Sequence, residues 1–178
     1  MYILGQSFGI LAAITSIFRP QFKRRKHIFF CTLLGNLFCT LNFVLIGKSG
    51  AASLVCTVAI IQSLLAMLHD RHNRAVPTRE KIIFLILYLA AGLFGFAYSQ
   101  NFSLEMHWDT AIELMPVLGA LMLMFSNFAR KEQTIRFFLL LNAGVWMIYS
   151  LLIGSSTVLS NIISLCSTAT ALWKYRRK

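Results

Sequence analysis

Seven stretches of almost unbroken apolar residues run along the chain between short polar breaks, at approximately 2–18, 27–46, 51–68, 82–98, 110–128, 134–153 and 157–173. Each is close to the roughly 17–25 residues that a helix needs to cross about 30 Å of hydrocarbon. The apolar positions are continuous rather than alternating. In lipid, where every backbone N–H and C=O needs a partner within the protein, this favours helices over the strands of a closed barrel. The pattern predicts an all-α membrane protein of seven transmembrane helices, with connections too short to hold a soluble domain. The first stretch has no basic leader and is followed by others like it, so it reads as a retained helix rather than a cleaved signal.

Composition agrees. The chain has 178 residues, 57% hydrophobic and 13% charged, with mean hydropathy +0.69, too apolar for the surface of a soluble domain. The net charge of +11 matters mainly through its placement. Arg19, Lys23, Arg24, Arg25 and Lys26 follow the first stretch; Arg71, Arg74, Arg79 and Lys81 follow the third; Arg130, Lys131 and Arg136 follow the fifth; Lys174, Arg176, Arg177 and Lys178 follow the seventh. The alternate connections offer only Lys48, together with Glu105, Asp109 and Glu113. Basic residues near helix ends stay on the cytoplasmic side, so this separation predicts an N-terminus outside and a cytoplasmic C-terminus. Tyr98 and Trp108 on one side, and Trp173 and Tyr175 on the other, suit the headgroup layers. Because the basic residues are dispersed between apolar runs, a nucleic-acid surface is not expected. Cys31, Cys39, Cys56 and Cys166 lie inside apolar runs without ligand spacing, so neither disulfides nor a metal site is expected, and no cofactor. The lipid bilayer is the expected partner.

An internal repeat is visible at an offset of 107 residues. Leu11 falls on Leu118, Ala13 on Ala120, Phe18 on Phe125, Phe30 on Phe137 and Leu34 on Leu141. Leu45-Ile46-Gly47 falls on Leu152-Ile153-Gly154, Ser53 on Ser160 and Leu65 on Leu172, and the basic breaks coincide. Helices one to three thus match five to seven, and the single helix between them restores direction, giving a three-plus-one-plus-three plan of parallel repeats. The units are 1–70, a linker helix at 82–98, and 110–178.

With Pro20-Gln21 closing the first helix before a basic break, this plan resembles the PQ-loop and SWEET transporter superfamily. Over its whole length the chain is similar to the YgjV-type bacterial inner-membrane proteins. The resemblance implies a membrane location and a bundle related to small-solute carriers. The second repeat has Asn127-Phe128 where another Pro-Gln would stand, and the helix prolines of sugar-transporting relatives are reduced to Pro20 and Pro116.

Polar side chains at bilayer depth mark packing contacts or a wet cavity. Asn142, Trp146 and Tyr149 share one helical stripe, and Thr157, Asn161, Ser164 and Thr168 share another. An aromatic face beside an amide suits a small polar solute, a sugar or similar, and Trp146 with Asn161 resembles the pocket pair of the SWEET proteins. The other wall would come from Asn36, Asn42 and Thr57, with Pro20, Gln21 and Pro116 as motif or hinge positions. For the Ser and Thr positions, hydrogen bonding between packed helices is the preferred reading. Asp109 and Glu113 read as a solvated helix start. Gly5 with Gly9, and Ala91 with Gly95, permit close helix approach within the bundle or between protomers of a homo-oligomer.

The expected function is therefore a carrier for a small polar solute working by alternating access. The alternative is a non-transporting receptor or interaction protein on the same bundle. Since no acid–base or metal set converges at depth, an enzyme is not expected.

Overall fold

In the computed structural model, which describes residues 2–46, 50–72, 74–99, 112, 114–152 and 158–175, the described residues form seven helices and no strand. These are α1 (Tyr2–Phe18), α2 (Arg25–Ile46), α3 (Gly50–Arg71), α4 (Thr78–Ser99), α5 (Met115–Phe128), α6 (Glu132–Leu152) and α7 (Val158–Lys174), with a 3₁₀ turn at Arg19–Gln21. Four segments are long and apolar enough to cross a membrane by length and composition: Ile3–Gln21, Arg25–Leu45, Ala52–Arg71 and Glu132–Leu152.

Two helices end for a clear local reason. Pro20, buried in the 3₁₀ turn, withholds the N–H that would continue α1, and Phe22 turns extended at ψ 136°. Ala129 turns extended after α5 while its N–H still bonds the carbonyls of Phe125 and Ser126. Several helices run past their apolar stretch into the charged break: α2 begins at Arg25 rather than His27, α4 at Thr78 rather than Ile82, and α6 at Glu132 rather than Thr134. Pro116 lies in the first turn of α5, where a missing N–H costs nothing, so it starts the helix rather than hinging it.

The helices pack as α1 on α2, α2 on α3, α5 on α6 and α6 on α7, and the two groups meet where α3 packs on α5 and α1 on α7. Thr15 lies against Gly35, and Asn42 against Gly5 and Gly9, so α1 and α2 are antiparallel. Asn161 at Trp146 and Gln133 at Tyr175 make α6 and α7 antiparallel as well. Ser164 at Ser16 and Tyr175 at Gln21 set α1 and α7 parallel. It follows that α2 and α6 run in the same direction.

The core is built from Ile28 and Phe29 of α2, Val55, Ala59 and Ala66 of α3, Phe84 and Tyr88 of α4, Ala120, Leu123 and Met124 of α5, and Ile135 and Leu139 of α6. Outward faces are apolar too, as at Ile3, Ile10, Val44, Ile86, Leu93 and Leu159, which is what a helix facing lipid requires. α4 meets the rest along one face, Glu80, Phe84, Tyr88, Ala91, Gly92 and Gly95. A side chain at Gly92 would collide with Val117, so its absence lets α4 and α5 approach.

Candidate functional site

Trp146 on α6 stands at the centre of the predicted residues. Its ring stacks on Phe43 of α2 with centroids 6.4 Å apart, and Tyr149 meets it edge-on at 5.7 Å. The indole is seated on Gly119 of α5, where a Cβ would come within 2.8 Å of Nε1. Two buried amides lie on the side of this stack toward the start of both helices. Asn36 precedes Phe43 by two turns, about 10 Å along the axis, and Asn142 precedes Trp146 by one, about 6 Å. With α2 and α6 parallel, the two amides lie on the same side of the stack, about 4 Å apart along the axis. Asn36 Nδ2 and Asn142 Oδ1 are both buried without a hydrogen-bond partner. One is a donor and the other an acceptor, and leaving either unpaired costs about 1–3 kcal/mol.

The remaining predicted residues divide. Tyr149 is buried beside Trp146, whereas Ser164 is buried toward α1, its Oγ donating to the Ser16 carbonyl at 3.4 Å. Asn161 is committed to the α6–α7 contact, its Nδ2 donating to the Trp146 carbonyl at 3.1 Å and to Ser150 Oγ at 2.8 Å. Asn42 faces α1 and donates to the Gly5 carbonyl at 2.7 Å. The Gly5 and Gly9 pattern therefore serves α1–α2 packing inside the protomer. Thr57 is not brought to this region. It is exposed and bonds its own helix at the Ser53 carbonyl, 2.9 Å away. Thr157, Trp108, Lys48, Glu105, Asp109 and Glu113 lie outside the described residues.

A second polar cluster had no signal in helical spacing. Gln62 of α3, fully buried, accepts from Tyr88 of α4 at 2.7 Å and from Asn127 Nδ2 of α5 at 3.2 Å through the same Oε1. Its Nε2 donates to the Met124 carbonyl at 3.4 Å, and Asn127 also reaches Ser63 Oγ at 3.4 Å. Three helices each contribute to one satisfied network, which fixes their mutual register.

A third set joins the two groups of helices at the end where α1 stops and α2 begins. Gln21 of the Pro-Gln dipeptide donates through Nε2 to the carbonyl and hydroxyl of Ser167 on α7, at 2.9 and 3.0 Å. Arg136, read from the sequence as a charge of the fifth break, is buried inside α6. Its Nε and Nη2 donate to the carbonyls of Pro20 and Phe22 at 3.1 and 2.9 Å, and the guanidinium lies 4.4 Å from the Tyr175 ring centroid. In the other direction Arg25 donates to the Ala129 carbonyl at 3.2 Å and pairs with Asp70 at 3.1 Å. His69 pairs with Glu80 at 2.8 Å, tying α3 to α4.

A surface groove of about 440 Å³ between α6 and α7 is lined by Gln133, Leu140, Ala169, Leu172 and Trp173. None of the predicted site residues lines it.

An all-helical, lipid-compatible bundle that buries amides and arginines agrees with what sequence comparison finds over residues 3–178. The chain belongs to the Imp-YgjV family of bacterial inner membrane proteins. No curated protein and no solved structure matches it. The family sets the location in the bacterial inner membrane and fits the lipid-facing apolar surfaces.

Proposed function

We propose that this membrane protein carries a small polar solute by alternating access between two triple-helix units, α1–α3 and α5–α7, in the manner of the PQ-loop and SWEET proteins, with the N-terminus outside and the C-terminus in the cytoplasm. The observation that carries this reading is the pair of unpartnered buried amide atoms, Asn36 Nδ2 and Asn142 Oδ1, beneath the Phe43–Trp146 stack. An amide at bilayer depth that pairs with no neighbour marks a place where a polar ligand supplies the bond. The repeat reading is supported by the starts of α2 at Arg25 and α6 at Glu132, which keep the offset of 107 residues. It is supported also by the exchange of contacts, first helix of one unit to third helix of the other. Such a pair of units can rock about a midplane site.

The test is uptake into proteoliposomes from a panel of radiolabelled sugars, amino acids and carboxylates. Asn142→Ala and Trp146→Ala should lower uptake at least several-fold while leaving helical content and monodispersity unchanged. Wild-type uptake by both variants would overturn the site.

A second reading, a non-transporting interaction protein, is favoured by Asn161, whose amide is already spent on the α6 backbone and Ser150. That reading predicts no flux of any solute and a partner that copurifies.

A further inference from the structure

Arg19 is the one residue of the α1 end that the proposed carrier leaves unexplained. It is 93% buried by exposure of 7%, in the turn just before Pro20. Its Nε has no hydrogen-bond partner. The described carboxylates do not answer it: Asp70 pairs with Arg25, Glu80 pairs with His69, and Glu132 is exposed at the start of α6. A guanidinium held among apolar helices with no counterion among the described residues is costly, and such groups are kept where a ligand or pathway uses them.

The helix register shows where this cation reaches. Thr15 lies against Gly35, so Arg19, one turn further, starts opposite the turn of Cys31. Helical side chains lean toward their own N-terminus, which carries the guanidinium back along α2, and it lies within electrostatic reach of the Cys39 and Cys31 thiols. Asn36 and Cys39 are i, i+3 neighbours on α2. By register the cation runs toward the level of Asn36, whose Nδ2, like Arg25 Nε, is a buried donor of this half without a partner. Two orphan donors, one of them charged, converge from α1 and α2 toward the level of the proposed site.

We infer that the solute is a small organic monoanion whose carboxylate is held by Arg19 and Asn36. The inference rests on the carrier reading and gives its substrate class. A single guanidinium with one neutral amide matches one negative charge, and the planar fork of arginine matches the two oxygens of a carboxylate. An anionic lipid headgroup presents related chemistry, but the burial of Arg19 inside the bundle favours a free solute.

The experiment follows thermal midpoints of wild type, Arg19→Lys and Arg19→Gln in phosphatidylcholine nanodiscs. Lactate is the probe and glycerol the uncharged control of similar size. Lactate should raise the wild-type midpoint saturably. Arg19→Lys should respond with affinity weaker by about tenfold, since lysine keeps the charge and loses the fork, and Arg19→Gln should not respond. In lactate-free buffer Arg19→Gln should be at least as stable as wild type, because it removes an uncompensated charge.

A lactate effect equal in all three proteins, or absent in wild type, would overturn the inference. So would an Arg19→Gln protein well below wild type without ligand, which would make the residue structural. Stabilisation that depends on Arg19 but is produced by adding phosphatidylglycerol to the nanodiscs would assign the site to lipid and overturn the solute reading. Stabilisation of all three proteins by glycerol alone would overturn the carboxylate while leaving a carrier of neutral solutes standing. The uptake of Asn142→Ala and Trp146→Ala decides that question separately.

Discussion

Arg136 and Phe22 are joined across the bundle by a 2.9 Å hydrogen bond from the guanidinium Nη2 to the backbone carbonyl. The reverse bond runs from Arg25 to the carbonyl of Ala129, at 3.2 Å. Phe22 and Ala129 stand 107 residues apart, the offset of the proposed repeat. Each half thus offers the carbonyl of its first turn to an arginine on the second helix of the other.

Replacing Arg136 by Met keeps most of the stem and removes both carbonyl bonds. Hydrogen bonds to charged groups contribute about 1.5–3 kcal/mol, and a loss of that order is expected in the unfolding of purified protein. Arg136→Lys should recover only part of it. An unchanged unfolding transition in Arg136→Met would mean that these bonds do not hold the halves together.

Gln62→Leu should be among the most damaging single changes in α3, because it orphans the Tyr88 hydroxyl, at about 1–3 kcal/mol, and leaves Asn127 Nδ2 with only the 3.4 Å contact to Ser63. Tyr88→Phe should cost less in the Gln62→Leu background than alone. Additive effects in that double-mutant cycle would dismiss the network as a unit.

Gly119→Ala places a methyl where Trp146 Nε1 now lies, 2.8 Å from the added carbon. The indole must move, which should shift its fluorescence and break the stack on Phe43. Solute uptake should fall with it. Normal emission and uptake would show that the seat of the ring is loose.

Asp70→Asn, by contrast, should change stability by less than about 1 kcal/mol, because the Arg25 and Asp70 side chains keep 26% and 19% exposure. Arg25 also retains the Ala129 carbonyl. A loss several times larger, insensitive to salt, would show that the pair is shielded from solvent.

Orientation has its own test. Green fluorescent protein fused to the C-terminus should fluoresce, and alkaline phosphatase at the same point should be inactive. The opposite pair of results would reverse the proposed topology.

Much of the fold is legible in the sequence because apolar runs of membrane length leave the backbone little choice but helix. Helix ends are less so: Arg25, Thr78 and Glu132 begin helices before the apolar run begins, since a helix can extend through charged residues into the interface. The Trp146, Asn142 and Asn36 region is reachable from spacing, as each stripe lies within one helix. The Gln62, Tyr88 and Asn127 network is not, because each helix contributes one residue and only packing brings them together. Arg19 and Arg136 look like break charges in the sequence for a related reason. Their sequence neighbours are basic or polar, while their burial comes from helices far along the chain.

The Gln62 network also implies an order of assembly. Tyr88 lies 26 residues after Gln62 and Asn127 lies 65 after it. During synthesis the α3–α4 hairpin can therefore form while the amide holds one partner only. α4, attached along one face, waits in lipid until α5 arrives with Asn127 and closes the junction. A ribosome stalled between α4 and α5 would hold an intermediate in which α4 is fastened to α3 alone, through Tyr88 and Glu80.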